Sequence, residues 1–216
     1  MSVVAAQHAQ PETRIVIPNI GWDIFEALAD SNCAGTRFTY DRGVLEIMSP
    51  SIEHEWFHYL LGRMIETMTE VLNIPLRGAG STTLKLQLRQ RGLEPDECYY
   101  VEHKAQMRGK REVDLTVDPP PDLVIEVDIS HSSINKFAIY ADVGVPELWL
   151  YDGESLRVHR LQDNGEYLQQ DSSVAFPFLD LRELERFLGR FEDLSETVWI
   201  RSFRDWVKER YGHLAS

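Results

Sequence analysis

Asp122-Leu123-Val124-Ile125-Glu126-Val127-Asp128-Ile129 follows the run Pro119-Pro120-Pro121 and is dense in apolar and β-branched residues, the composition of a strand. Downstream, Ser132-Ser133 can cap a helix whose stripe is Ile134, Phe137, Ala138 and Ala141, and Gly144 stops it. Glu147 to Tyr151 is apolar again and reads as a second strand. Strand, helix of about ten residues, strand is a βαβ unit, and the right-handed crossover rule makes its strands parallel. The fold class that follows is mixed α/β.

Outward from that unit, Thr36 to Asp41 and Val44 to Met48 flank Asp41-Arg42-Gly43 and read as a β-hairpin. A helix is expected from Trp22, with Phe25, Leu28 and Ala29 at helical spacing. Ser49-Pro50-Ser51 opens a long one from about Ile52 to Leu72, with Trp56, Tyr59, Leu60, Met64, Met68 and Leu72 along one side. Further strands are expected at Thr82 to Leu88, Glu97 to Glu102 and Leu156 to Leu161, and two helical pieces between Asp180 and Tyr211. Residues 1–18 lack periodicity and read as a loose arm, which leaves 19–216 as one domain with a helical tail.

The chain has 216 residues, 43% of them hydrophobic, enough for one substantial core. No apolar run reaches the roughly 18 residues that span a bilayer, and no secretory pattern opens the chain, so a cytoplasmic protein is expected. Cys33 and Cys98 lie far apart, against a thiolate metal site. A net charge of −13 disfavours a non-specific nucleic-acid coat. The stretch from Arg77 to Arg111 nevertheless carries +4, leaving −17 elsewhere. Arg108, Lys110 and Arg111 are therefore candidates to touch a phosphate backbone, the bland alternative being a solvated loop.

Side chains alternate along a strand, so Asp122, Glu126 and Asp128 share one face of the first strand of the βαβ unit. Acids stacked two residues apart repel, and a hard divalent ion with oxygen ligands would relieve them; a solvated face is the competing reading. Asp96 stands at the head of the Glu97 strand. If that strand runs antiparallel to 122–129, its start lies beside Glu126 and Asp128. Asp122 is then roughly 13 Å from Glu126 at about 3.3 Å per residue, too far to share an ion. The pair selected is Asp96 with Glu126.

In order along the chain stand Met48-Ser49-Pro50-Ser51-Ile52-Glu53-His54-Glu55, Gly80-Ser81-Thr82-Thr83-Leu84, Glu94-Pro95-Asp96-Glu97-Cys98-Tyr99-Tyr100, Pro120-Pro121-Asp122-Leu123-Val124-Ile125-Glu126-Val127 and Ile139-Tyr140-Ala141-Asp142-Val143-Gly144-Val145-Pro146-Glu147-Leu148-Trp149. This series resembles the PD-(D/E)XK nuclease superfamily and, within it, the Uma-two restriction endonuclease family. The resemblance implies a restriction-endonuclease-like αβββαβ core with a mixed central sheet flanked by helices. It also implies hydrolysis of nucleic-acid phosphodiesters, DNA above all, with Mg²⁺ or Mn²⁺. Asp96 matches the Asp of the first motif and Glu126 the acid of the second, with Asp128 as an outer metal contributor. The superfamily's Lys belongs two residues after that acid, where this chain has Asp128. Lys136 is the nearest replacement, and such migration to a neighbouring helix is known in the superfamily. His54 is a secondary candidate, since this helix carries an acid or His facing the site in the family.

Two other readings compete. Without its Lys in reach, the chain would be a nuclease-fold module that binds and does not cut. His54-Glu55-Trp56-Phe57-His58 spells HExxH, the helical signature of a zinc hydrolase, but no third ligand is identifiable. Aromatic residues in the tail are compatible with a homodimer and equally with burial inside one chain.

Overall fold

The computed structural model describes residues 12–31 and 35–215, so Cys33 and most of the expected N-terminal arm lie outside the described residues. Eleven described strands form two sheets: β1 (Thr13–Pro18), β2 (Arg37–Asp41), β3 (Val44–Ser49), β4 (Arg77–Gly78), β5 (Leu84–Leu86), β6 (Arg91–Leu93), β7 (Glu97–Tyr100), β8 (Leu123–Val127), β9 (Glu147–Tyr151), β10 (Leu156–Leu161) and β11 (Tyr167–Gln170). The helices are α1 (Trp22–Asp30), α2 (Ile52–Val71), α3 (Lys136–Val143), α4 (Leu181–Gly189) and α5 (Glu196–Tyr211). One sheet is antiparallel, in the order β1-β3-β2-β6-β5. The other is mixed, in the order β11-β10-β9-β8-β7-β4, and β8 and β9 are its parallel pair.

The parallel pair is the expected βαβ unit, with α3 as its crossover. Counting only the mixed sheet, the chain runs α2, β4, β7, β8, α3, β9, which is the αβββαβ order; β5 and β6 leave that series to join the antiparallel sheet. Three helices, α2, α4 and α5, cover one face of the mixed sheet through Leu61, Met68, Leu184, Trp199 and Phe203, packed on Leu123, Ile125 and Val127. On the opposite face α3 packs Ile139, Tyr140 and Val143 against Val124 and Leu148. With apolar contact on both faces, every residue of β8 is buried. The solvated-face reading of this strand therefore fails.

The Arg42-Gly43 turn has φ of 48° and 93°, the primed geometry that matches the twist of a two-residue hairpin. Gly92 marks a close approach, because a Cβ there would stand 2.6 Å from the Phe25 ring. That requirement makes β6 look like a loop in the sequence, although it pairs on both sides.

Several boundaries differ from expectation. Thr13–Pro18 is not a loose arm: β1 pairs along its whole length with β3. It is an edge strand with both faces partly in solvent, so it carries no clean alternation. The strand expected at Thr82 to Leu88 shortens to β5, because the chain turns through Gln90 at φ 52° and leaves Leu88 almost fully exposed. On α2, Leu60, Met64 and Met68 are buried as expected, but Trp56 and Tyr59 face solvent. At that end of the helix His54 takes the inward side. The tail aromatics pack on one another within the chain, as in the Phe187–Phe203 and Trp206–Tyr211 contacts.

Candidate active site

The strands β7 and β8 are antiparallel, with Glu97 opposite Ile125. One residue further along that register, Asp96 stands opposite Glu126, where Cβ atoms of facing residues lie about 4.5–5.5 Å apart. Asp96 Oδ2 accepts a hydrogen bond from the backbone N–H of Val127 at 2.8 Å, which pins the carboxylate to the end of β8. Both acids are almost wholly buried. Glu126 lies near the carboxyl end of β8, one strand of the parallel pair and the position at which α/β sheets hold ligands, and Asp96 meets it there from the amino end of antiparallel β7.

Lys136 opens α3, and its side chain turns back to the strand end: Nζ donates to Glu126 Oε2 at 2.7 Å. One turn later Tyr140 donates its hydroxyl to Glu126 Oε1. Sequence reasoning missed Tyr140, though its spacing of four from Lys136 puts both on one face of a helix. Ser132 and Ser133 do not cap α3; Asn135 does, accepting from Ala138 N–H at 3.3 Å. The serines are committed elsewhere. Glu46, buried on β3, accepts from Ser132 Oγ at 2.7 Å, Ser133 N–H at 2.9 Å and Arg14 at 2.8 Å. Glu46 and Arg14 thus tie the antiparallel sheet to the loop that delivers Lys136. Neither showed a signal in the sequence beyond a charge inside a strand.

His54 reaches the same point from α2. The ring is fully buried, with Nε2 3.2 Å from Asp96 Oδ2, although neither ring nitrogen is aligned for a hydrogen bond. Arg37 lies 3.8 Å from the other oxygen of Asp96.

These neighbours drive the two acids apart electrostatically. Burial works against ionisation of Asp96, but His54, the Lys136 charge and the Val127 N–H outweigh it and bring its pKa down to about 2. Glu126 moves the other way: burial and the Asp96 charge raise it, with Lys136 and Tyr140 only partly offsetting them. Burial opposes the charge on Lys136, yet Glu126 and Asp96 raise its pKa, so the ammonium keeps its proton. Burial, reinforced by Glu126, holds Tyr140 as a neutral phenol.

Other expected residues fall elsewhere. Asp128 is at the rim, 3.6 Å from Arg14 and 3.4 Å from His131. Asp122 sits at the far end of β8, where it accepts the backbone N–H groups of Val101, Glu102 and His103 as a turn cap. Arg108, Lys110 and Arg111 lie in the connection between β7 and β8, at the end of the strands away from Glu126, and Lys110 pairs with Asp118 at 2.5 Å. The structure does not bring them to Asp96. Cys98 is buried, and burial raises its pKa, so it is an inert core thiol.

The two histidines of the HExxH pattern diverge. His54 contacts Asp96, while His58 Nε2 meets Glu97 at 3.1 Å and its Nδ1 lies 3.7 Å from Glu55. Among the described residues no group of three His, Cys, Asp or Glu side chains stands in a metal-holding arrangement, so no third protein ligand joins the two histidines. His58 gives a pH prediction instead. Burial opposes its charge, but Glu55 and Glu97 outweigh it and raise its pKa to about 9. A raised pKa stabilises the fold fully below the ordinary value of 6.5, and the contribution is lost as pH climbs through 9. Thermal midpoints are expected to fall between pH 7 and 9, and His58→Gln to flatten that slope; an unchanged slope in the variant would contradict the assignment.

Residues 22–195 match the profile of the family Uma2, described as "Putative restriction endonuclease". The chain belongs to this family. Its fold is also similar to the crystal structure of "a putative nuclease belonging to DUF820 from Anabaena variabilis ATCC 29413", with a TM-score of 0.50 and 16% sequence identity, over 70% of this chain and 90% of that one. No curated protein matches the chain. Membership of Uma2 makes this a nuclease-family protein, and nucleic acid the partner its family implies. No described helix is long and apolar enough to cross a membrane.

Proposed function

We propose that this Uma2 protein is a Mg²⁺- or Mn²⁺-dependent endonuclease that hydrolyses phosphodiester bonds of DNA. The observation that carries the proposal is the Asp96–Glu126 pair facing across β7 and β8 with the Lys136 ammonium 2.7 Å from Glu126. The donor set suits a hard cation. Two carboxylates converge there, and at the rim Asp128 Oδ1 is buried with no hydrogen-bond partner. Mg²⁺ keeps several of its waters and needs only one or two carboxylates, so a preformed cage of protein ligands is not required. Asp96 and Glu126 would hold the ion, with Asp128 at the rim. Bound there, it would lower the pKa of a water and polarise the scissile phosphate.

The chain's own residues supply the rest. Asp96 stays ionised throughout the working range because its pKa is depressed. Lys136 keeps its proton, which excludes it as the general base and suits it to stabilise charge developing on the phosphoryl oxygens. Tyr140 hydrogen-bonds Glu126, and His54 stands 3.2 Å from Asp96 at the start of α2. A lysine within reach also favours the cutting protein over the module that only binds.

Incubating the protein with single-stranded and duplex DNA in Mg²⁺ or Mn²⁺ tests the reading. Cleavage is expected, with abolition by EDTA and a loss of at least a thousandfold in Asp96→Asn. Cleavage that survives this substitution would remove Asp96 from the site.

A further inference from the structure

Beside Glu126 a cavity of about 230 Å³ opens between α3 and the β8–β9 face of the mixed sheet. Its walls are of two kinds. Glu126, Lys136 and Asn135 make a polar end, while Ile134, Phe137 and Leu150 make an apolar one. Leu150 stands in register beside Glu126 across the parallel pair, so the apolar wall begins one strand away from the acid. Phe137, one of the lining residues, meets the His159 ring at 5.0 Å and the Tyr167 ring at 5.5 Å in steeply inclined contacts that fix its position.

We infer that this cavity takes the base of an unpaired nucleotide, so that the protein acts on single-stranded or unpaired DNA. The inference rests on the hydrolytic reading for the placement of the phosphate at Glu126 and Lys136. Three observations support it. The volume is below the roughly 300–1,000 Å³ of drug-sized ligand sites, so it suits one heterocycle and excludes a base pair. An aromatic wall and aliphatic walls offer apolar contact and stacking, while the amide nitrogen of Asn135, whose oxygen caps α3, can donate to a base edge. The charge pattern points the same way. Duplex binding draws its affinity from many phosphate contacts, yet the chain carries −13 overall and the cations near the site, Arg14, Arg37 and Lys136, each already lie within 4 Å of a carboxylate, of Glu46, Asp96 and Glu126 respectively. Burying a base replaces the affinity that an acidic surface cannot supply. A base stacked inside a duplex cannot enter the cavity without leaving its partner.

The test uses the full chain in Ca²⁺ in place of Mg²⁺, with a short DNA carrying 2-aminopurine at each position in turn, as a single strand and in duplex. The single strand is expected to bind at least tenfold more tightly, with a change in emission confined to one or two positions. Leu150→Trp fills the cavity and is expected to weaken single-strand binding at least fivefold, with circular dichroism unchanged. Should that variant fail to fold, Phe137→Ala removes the flat wall and is expected to abolish the position-specific emission change. Equal affinity for both forms, or variants that bind as the parent does, would overturn the inference. Strand discrimination in Ca²⁺ without cleavage in Mg²⁺ supports the cavity and defeats the hydrolytic reading. Equal cleavage of both forms does the reverse.

Discussion

Replacing Lys136 with Met is expected to lower Mg²⁺-dependent cleavage by about a hundred- to a thousandfold, the range seen when one preorganised charge-stabilising donor is removed. The effect is large because the ammonium is buried and has no substitute among its near neighbours. Tyr140 reaches the same carboxylate but brings no charge, Arg14 is committed to Glu46, and Arg37 lies against Asp96 rather than Glu126. The loss has a second component. Glu126 would be left in a buried setting beside ionised Asp96, and its pKa, already raised, would climb further. The variant's activity is therefore expected to rise with pH more steeply than the parent's, as Glu126 loses its proton at higher pH. A merely structural role for Lys136 would lower the amount of folded protein without changing the shape of that profile. Tyr140→Phe is the companion variant: it keeps the charge and loses one hydrogen bond, and a loss near tenfold is expected. Lys136→Arg is not a conservative exchange here, since a planar guanidinium does not fit a site shaped around one ammonium. Full activity in Lys136→Met would show that the lysine beside Glu126 has no part in the chemistry.

The largest stability effect is expected away from the site, at Glu147. This buried carboxylate at the head of β9 accepts from Trp149 Nε1 at 2.6 Å, Ser173 Oγ at 2.6 Å, Val174 N–H at 2.5 Å and Ala175 N–H at 3.2 Å. It fastens the segment after β11 to the mixed sheet, and that segment leads into the α4–α5 tail covering the core. Glu147→Ala orphans four donors at once. With each unsatisfied buried group costing about 1–3 kcal/mol and water reaching some of them, a loss near 4 kcal/mol is expected. For a chain of this length that lowers the thermal midpoint by roughly 10 °C. Glu147 pairs in register with Leu123, at the end of the strands away from Glu126, so cleavage per folded molecule at low temperature should be unchanged. A shift under about 2 °C would mean that water replaces the carboxylate, contrary to the near-complete burial of the residue.

Glu147 and Glu126 also show why parts of this protein were legible and others were not. Both are acids within apolar strands, and the sequence does not tell their roles apart. What separates them is their partners: backbone amides, an indole and a hydroxyl around Glu147, against an ammonium, a phenol and a facing acid around Glu126. None of those partners is local except Trp149. Asp122 illustrates the same point, since it shares a strand face with Glu126 yet caps a turn and pairs with the His103 ring.

Local chemistry sufficed where a period or a turn was the signal. The hairpin at Arg42-Gly43, the helices α1 and α2, the βαβ unit and the rejection of Asp122 all follow from side-chain alternation, helical spacing and glycine geometry, which are properties of neighbours along the chain. The strands that escaped notice, β1, β4, β6 and β11, are short or lie at sheet edges, where pairing is set by a distant partner and leaves no pattern of its own. The pairing of Asp96 with Glu126 could be named from the chain alone because it needed only one antiparallel contact. That Lys136 folds back, that Tyr140 and Glu46 complete the site, and that Arg108 to Arg111 stand at its far end were decided by packing between layers, since burial of a charge depends on which groups three dimensions place around it.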